Sequence, residues 1–113
     1  MTFLTPPFPG LPTSVVISGN NSPYTTGDSA TLSCDVTGGN PATTSYSWTL
    51  GGTALPAEML MILVITPLSN SNNGQAVTCT ATNAVGPVTS AASTLDVQCK
   101  FPGAFGYCYS MFD

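Results

Sequence analysis

Six of the 113 residues carry formal charge: Asp28, Asp35, Glu58, Asp96, Asp113 and the single base Lys100. Together with cysteines at 34, 79, 99 and 108 they are the groups from which chemistry would have to be built, and the sequence contains no histidine. Nucleophilic catalysis needs a base held beside a Ser, Cys or Thr, and Lys100 stands alone beside Cys99. Paired-carboxylate chemistry needs two acids that converge. Asp28 and Asp35 are seven residues apart, at opposite parity, so a regular strand sends their side chains to opposite faces. Asp28 reads as a turn former, and Asp35 as a residue of the wet face. Zinc takes Cys or His at close spacing, and Cys99 with Cys108 are too few alone. Calcium takes several oxygens from one loop, and residues 69–73 supply amides and hydroxyls without a carboxylate. The glycine pairs at 38–39 and 51–52 follow no phosphate-loop pattern and read as turns. The expectation is a non-enzyme, with no catalytic residue, metal, cofactor or small-molecule substrate.

Composition narrows the partners. Charged residues make up 5% of the chain, about a fifth of the usual share. A net charge of −4 with one lysine and no arginine excludes a phosphate-reading surface, because neutralising phosphates takes several cations. Nucleic acid is therefore not expected. The apolar run 59–65 falls far short of a bilayer span, so no direct membrane insertion is expected. An even cysteine count suits an oxidising, extracellular compartment. The opening MTFLTPPFPGLP has no basic start, and its prolines break any apolar helical segment; it reads as a fragment or mature form, not a signal peptide.

The length fits one domain. Residues 1–13 read as an extended leader, with prolines at 6, 7, 9 and 12. From residue 14 the pattern changes to short β-type runs separated by Gly, Asn, Pro and Ser. SVVIS at 14–18 is the first. Residues 29–37 alternate Ala30, Leu32, Cys34 and Val36 against Ser29, Thr31, Ser33 and Asp35, the period of a half-buried strand. Tyr46 and Trp48 alternate within SYSWT, and 60–67 is apolar and rich in branched residues. Residues 75–83 set Val77, Cys79 and Ala81 on one face, 84–87 form a hairpin turn, and 89–97 return with Leu95 and Val97. No helical repeat stands out. About seven short strands at this spacing predict an all-β, two-sheet sandwich.

Cys34, Trp48 and Cys79 are separated by 14 and 31 residues. With Leu32 two before the first cysteine, Leu63, Ile65 and Leu68 in an L-x-I-x-x-L pattern, and C-T-A-T-N-A-V-G from Cys79, residues 14–98 resemble an immunoglobulin-superfamily domain of the I or C2 type. The resemblance implies an inter-sheet Cys34–Cys79 disulfide across a core of Trp48, Leu32, Leu63, Ile65, Leu68 and Leu95. Two departures stand out. Val77 occupies the position of the family's corner tyrosine, and Asn73-Gly74 lies one residue further from the cysteine than usual. A bulge or longer turn is expected there, with a corner held by packing alone. The missing arginine and the short stretch between Trp48 and Leu63 argue against a variable-type domain.

All five phenylalanines lie outside 14–98. Residues 99–113 form an aromatic tail in which Cys99 and Cys108 bracket KFPGAFGY; Pro102, Gly103 and Gly106 permit the reversal a ten-residue ring needs. The other pairing is to a second chain or module. Phe3, Phe8, Phe101, Phe105, Tyr107, Tyr109 and Phe112 are candidate partner contacts, since clustered exposed aromatics drive protein association. Asn20 begins an N-x-S acceptor for a glycan, followed by Pro23. The expected work is protein–protein contact by an extracellular module, as an assembly unit of a multidomain or self-assembled structure such as a filament. The competing expectation is an adhesion or recognition domain that binds through loops 38–44 and 84–87.

Overall fold

The computed structural model describes residues 9–99. Among these, ten short strands occur in the order β1 (Ser14–Ser18), β2 (Tyr24–Thr25), β3 (Ala30–Thr37), β4 (Ser45–Leu50), β5 (Thr53–Ala54), β6 (Ile62–Ile65), β7 (Ala76–Thr82), β8 (Pro87–Thr89), β9 (Ser93–Thr94) and β10 (Val97–Gln98). A 3-10 turn at Asn70–Asn72 precedes β7. One sheet has the order β1-β3-β6 and is antiparallel throughout. The facing sheet has the order β5-β4-β7-β8, with β9 also paired to β7. A parallel ribbon of β10 and β2 closes one side.

Alternation along β3 and β7 produces the core. Ala30, Leu32 and Cys34 are buried on β3, and Val77, Cys79 and Ala81 on β7, with the intervening residues in whole or in part exposed. A period of two sends every second side chain inward, so the two inner faces meet as a single apolar layer. Trp48, Leu32, Leu63, Leu68 and Leu95 are among its largest fully buried members, while Ile65 is half-buried and packs against them. Cys34 and Cys79 form a disulfide between the two sheets, their Cα atoms 6.2 Å apart. Trp48 pairs in register with Cys79, which sets the indole beside the bridge. Its Nε1–H donates to the Leu60 carbonyl at 2.8 Å, so a buried polar group finds a partner on the segment that leads into β6.

Two sequence expectations need correction. The corner before β7 is not held by packing alone. The 3-10 turn supplies the longer connection, Gly74 at φ 81° donates its N–H to the Leu95 carbonyl (2.8 Å), and Asn73 Oδ1 accepts the Val97 N–H (2.9 Å). Asparagine thus ties the corner to the last strand in place of a tyrosine hydroxyl. The returning strand at 89–97 is also not continuous. Thr80 pairs with Thr89, but Ala76 pairs with Thr94, so one extra residue lies on the returning side. That is a bulge, and Ser90 fills it. Its N–H donates to the Cys79 carbonyl (2.8 Å) while its Oγ accepts the Cys79 N–H (3.1 Å). The last residues of the leader meet the sandwich. Gly10 and Asn40 exchange two backbone hydrogen bonds (2.9 and 3.0 Å), Pro12 is buried, and Thr13 bonds Thr37.

Candidate functional site

Two ends of the sandwich carry the polar construction. β3 runs between them, and its eight residues separate the ends by about 25 Å. At one end the leader meets loops 38–44 and 84–87. Asn83, 4% exposed, sits where the three converge. Its Nδ2 donates to the carbonyls of Gly10 (2.8 Å) and Pro41 (3.0 Å), and its Oδ1 accepts the N–H groups of Val85 (2.9 Å) and Gly86 (3.1 Å). Four bonds saturate the amide. One side chain therefore fixes the leader and both loops as a single surface, from which Leu11 and Val85 project into solvent. Gly86 lies so close to Leu11 that an added Cβ would come within 3.1 Å of Leu11 Cδ2. The asparagine of the C-x-A-x-N-x-x-G run carried this signal in the sequence, but nothing there distinguished a knot of loops from a turn former.

At the opposite end the chain departs. Thr26 donates its N–H to the Gln98 carbonyl (2.9 Å), Gly27 donates to Leu68 (2.7 Å), and Asp28 Oδ2 accepts the Thr25 N–H (2.9 Å), which makes Asp28 a turn clasp. Cys99 is disulfide-bonded. Cys108, to which the sequence reading pairs it, lies outside the described residues, as do Phe3, Phe8, Phe101, Phe105, Tyr107, Tyr109 and Phe112. Tyr24, which sequence reasoning did not single out, is buried beside this ribbon; its Oη accepts the Asn21 N–H (2.8 Å) and donates to the Gly19 carbonyl (3.2 Å). A two-residue strand among Gly, Asn, Ser and Pro gives no period by which to find it.

Asn20 lies in the same turn. Its Nδ2 donates to Ser93 Oγ (2.8 Å) and the Thr94 carbonyl (2.9 Å), while its Oδ1 accepts from the Ser22 N–H (3.2 Å) and Ser22 Oγ (2.6 Å). Both amide hydrogens are engaged, so a glycan on Nδ2 displaces at least one bond. Asn20→Ala, made in a host that adds no sugar, is expected to lower stability by about 1–2 kcal/mol in urea unfolding, the scale of a few partly exposed hydrogen bonds. An asparagine that served only as a sugar acceptor would leave that stability unchanged.

Asp35 is exposed on the outer face of β3; hydrogen bonds from Ser18 and then Ser33 (2.9 Å to Oδ1) hold its carboxyl below the usual carboxylate range. Among the described residues no three His, Cys, Asp or Glu side chains converge on a common point, and no helix is long and apolar enough to cross a membrane. The polar groups that do converge, around Asn83 and Asn20, satisfy one another and shape surface.

Comparison with known proteins agrees with this architecture. The family model described as an immunoglobulin domain matches residues 13–104. Among solved structures, the tandem Ig repeats of Dlar are similar, with a TM-score of 0.55 and 23% identity over 66% of this chain and 42% of that one. The likeness is one of fold, and this chain spans less than half the length of that neighbour.

Proposed function

The chain belongs to the immunoglobulin domain family, and from that premise we propose that it is a non-catalytic extracellular module whose work is protein–protein contact. It acts as an assembly unit, joined to its neighbours through its two ends. The carrying observation is that the leader meets the sandwich at the Asn83 end and the tail departs from the opposite end, beside Thr26 and Leu68. Phe3 and Phe8 precede the first junction, and Phe101, Phe105 and Phe112 follow the second. Contact between the leader of one copy and the tail of the next is head-to-tail, and such contacts build open rows unless the rotation closes them. The inter-sheet disulfide fits an oxidising compartment.

Sedimentation velocity on the full chain, with and without serine at all five phenylalanines, tests this reading. The unsubstituted chain is expected to grow beyond a dimer as concentration rises, and the substituted chain to stop at or below one. A strict monomer at high concentration, unchanged by the substitutions, would count against it. The Asn83 knot favours a second reading, recognition of a distinct ligand by the fixed surface of loops 38–44 and 84–87. Binding that survives the phenylalanine substitutions but is lost when Val85 and Leu11 become serine would support that alternative.

A further inference from the structure

β6 ends the β1-β3-β6 sheet, and among the described residues its outer edge is open. The Cys34 N–H donates to the Met61 carbonyl at 2.8 Å, and the register pairs Leu32 with Leu63 and Ala30 with Ile65. Antiparallel ladders alternate bonded and non-bonded pairs, so residues 61, 63 and 65 bond β3 while Ile62 and Val64 turn their N–H and C=O groups away from it. Among the described residues no strand pairs with that side. Sheet edges are ordinarily guarded by charge, proline or a bulge. Residues 59–65, MLMILVI, have none of these; the nearest charge is Glu58.

The same segment is the most exposed apolar surface in the described chain. Leu60 is 74% exposed, Met59 65%, Val64 48%, Met61 46% and Ile62 40%. Together these side chains present on the order of 500 Å² of apolar surface, the size of the largest patch on a typical monomer, which is often functional. Nor is the segment loose, since the Trp48 indole holds the Leu60 carbonyl.

We propose that a second copy of this chain pairs with β6, antiparallel, about a two-fold axis at Leu63. The inference rests on the contact-module reading and gives that module a lateral contact distinct from its ends. The register is self-complementary. Ile62 lies opposite Val64 of the partner copy and Val64 opposite its Ile62, and these are the residues whose backbone groups face outward, so both pairs become hydrogen-bonded. Their side chains share the outer face, where branched apolar cross-strand pairs are favourable. Three strands continue into six. Two such patches bury about 1,000 Å² in total, the lower bound for a specific interface. The absence of charge suits a second copy: each edge meets an identical neutral one, and nothing repels.

Native-state amide hydrogen exchange on the full chain, read by NMR across a concentration series alongside sedimentation, tests the pairing. Ile62 and Val64 amides are expected to exchange freely in the dilute chain. At a total chain concentration tenfold above the dissociation constant about a fifth of the chain stays monomeric, so they should slow about fivefold, by mass action. Ile62→Lys with Val64→Lys sets lysine opposite lysine at exposed positions; it is expected to abolish both the slowing and the dimer while the Cys34–Cys79 bridge still forms. Association with Ile62 and Val64 still in free exchange would overturn the edge proposal and leave end-to-end assembly standing. Protection at every concentration in a monomer would overturn it too, showing the chain's own terminal segments over the edge. A lateral dimer that persists when all five phenylalanines are serine would support the edge, and an unsubstituted chain that grows no further than that dimer would count against the ends.

Discussion

Replacing both Cys34 and Cys79 with alanine is expected to lower stability by about 4 kcal/mol, the chain-entropy value for opening a ring of about 46 residues. A domain of this size has about 5–15 kcal/mol in all, so the variant sits near the threshold of folding. The mechanism has a signature. A cross-link acts mainly by confining the unfolded chain, so its removal exposes more surface on unfolding, and the urea m-value should rise as the midpoint falls. Both cysteines are fully buried between the sheets beside Trp48, so the alanines also leave small voids that add to the loss. Urea unfolding of the oxidised chain against the double variant checks this. A loss under 1 kcal/mol with an unchanged m-value would mean that packing, not the bridge, holds the layers together.

Asn83→Ala is expected to cost about 3 kcal/mol. The change removes the partner of the Pro41 carbonyl and of the Val85 and Gly86 amides at a 4% exposed position, while the Gly10 carbonyl keeps its bond from the Asn40 N–H; three orphaned groups at about 1 kcal/mol each set the scale. Asn83→Asp separates the two halves of the knot. It keeps the acceptor for Val85 and Gly86 but sets a carboxylate oxygen against two carbonyls, which favours the protonated acid. The folded-state pKa of that aspartate is therefore raised, and the variant should regain stability as pH falls through it, whereas wild type should not. Denaturation at two pH values gives the comparison. An alanine variant as stable as wild type, with the Asn40 amide still protected by Gly10, would show that the loops hold their surface without the asparagine.

How far the molecule was legible follows the physics of each signal. Strands that alternate cleanly, β3 and β7, were readable because half their side chains are polar, and Cys34, Trp48 and Cys79 anchored the register between sheets. β6 was less legible. A run of seven apolar residues has no polar partner to mark its wet face, so the run could not show that Leu63 is buried while Ile62 and Val64 face outward, nor that Ile65 is only half-covered. The bulge at Ser90 was hidden because a hydroxyl replaces a backbone group without altering the local pattern. Asn73, Asn83 and Asn20 look alike in sequence, each a polar residue near a turn. Their separate tasks depend on Val97, Gly10 and Ser93, which are 24 to 73 residues away. Long-range side-chain bonds of this kind leave no periodic trace.

Assembly by contact is the claim on which the account rests, and electron microscopy of the intact chain at high concentration tests it most directly. The account predicts rows of sandwiches joined end to end, some of them doubled side by side. A field of single, separated sandwiches under the same conditions would contradict it.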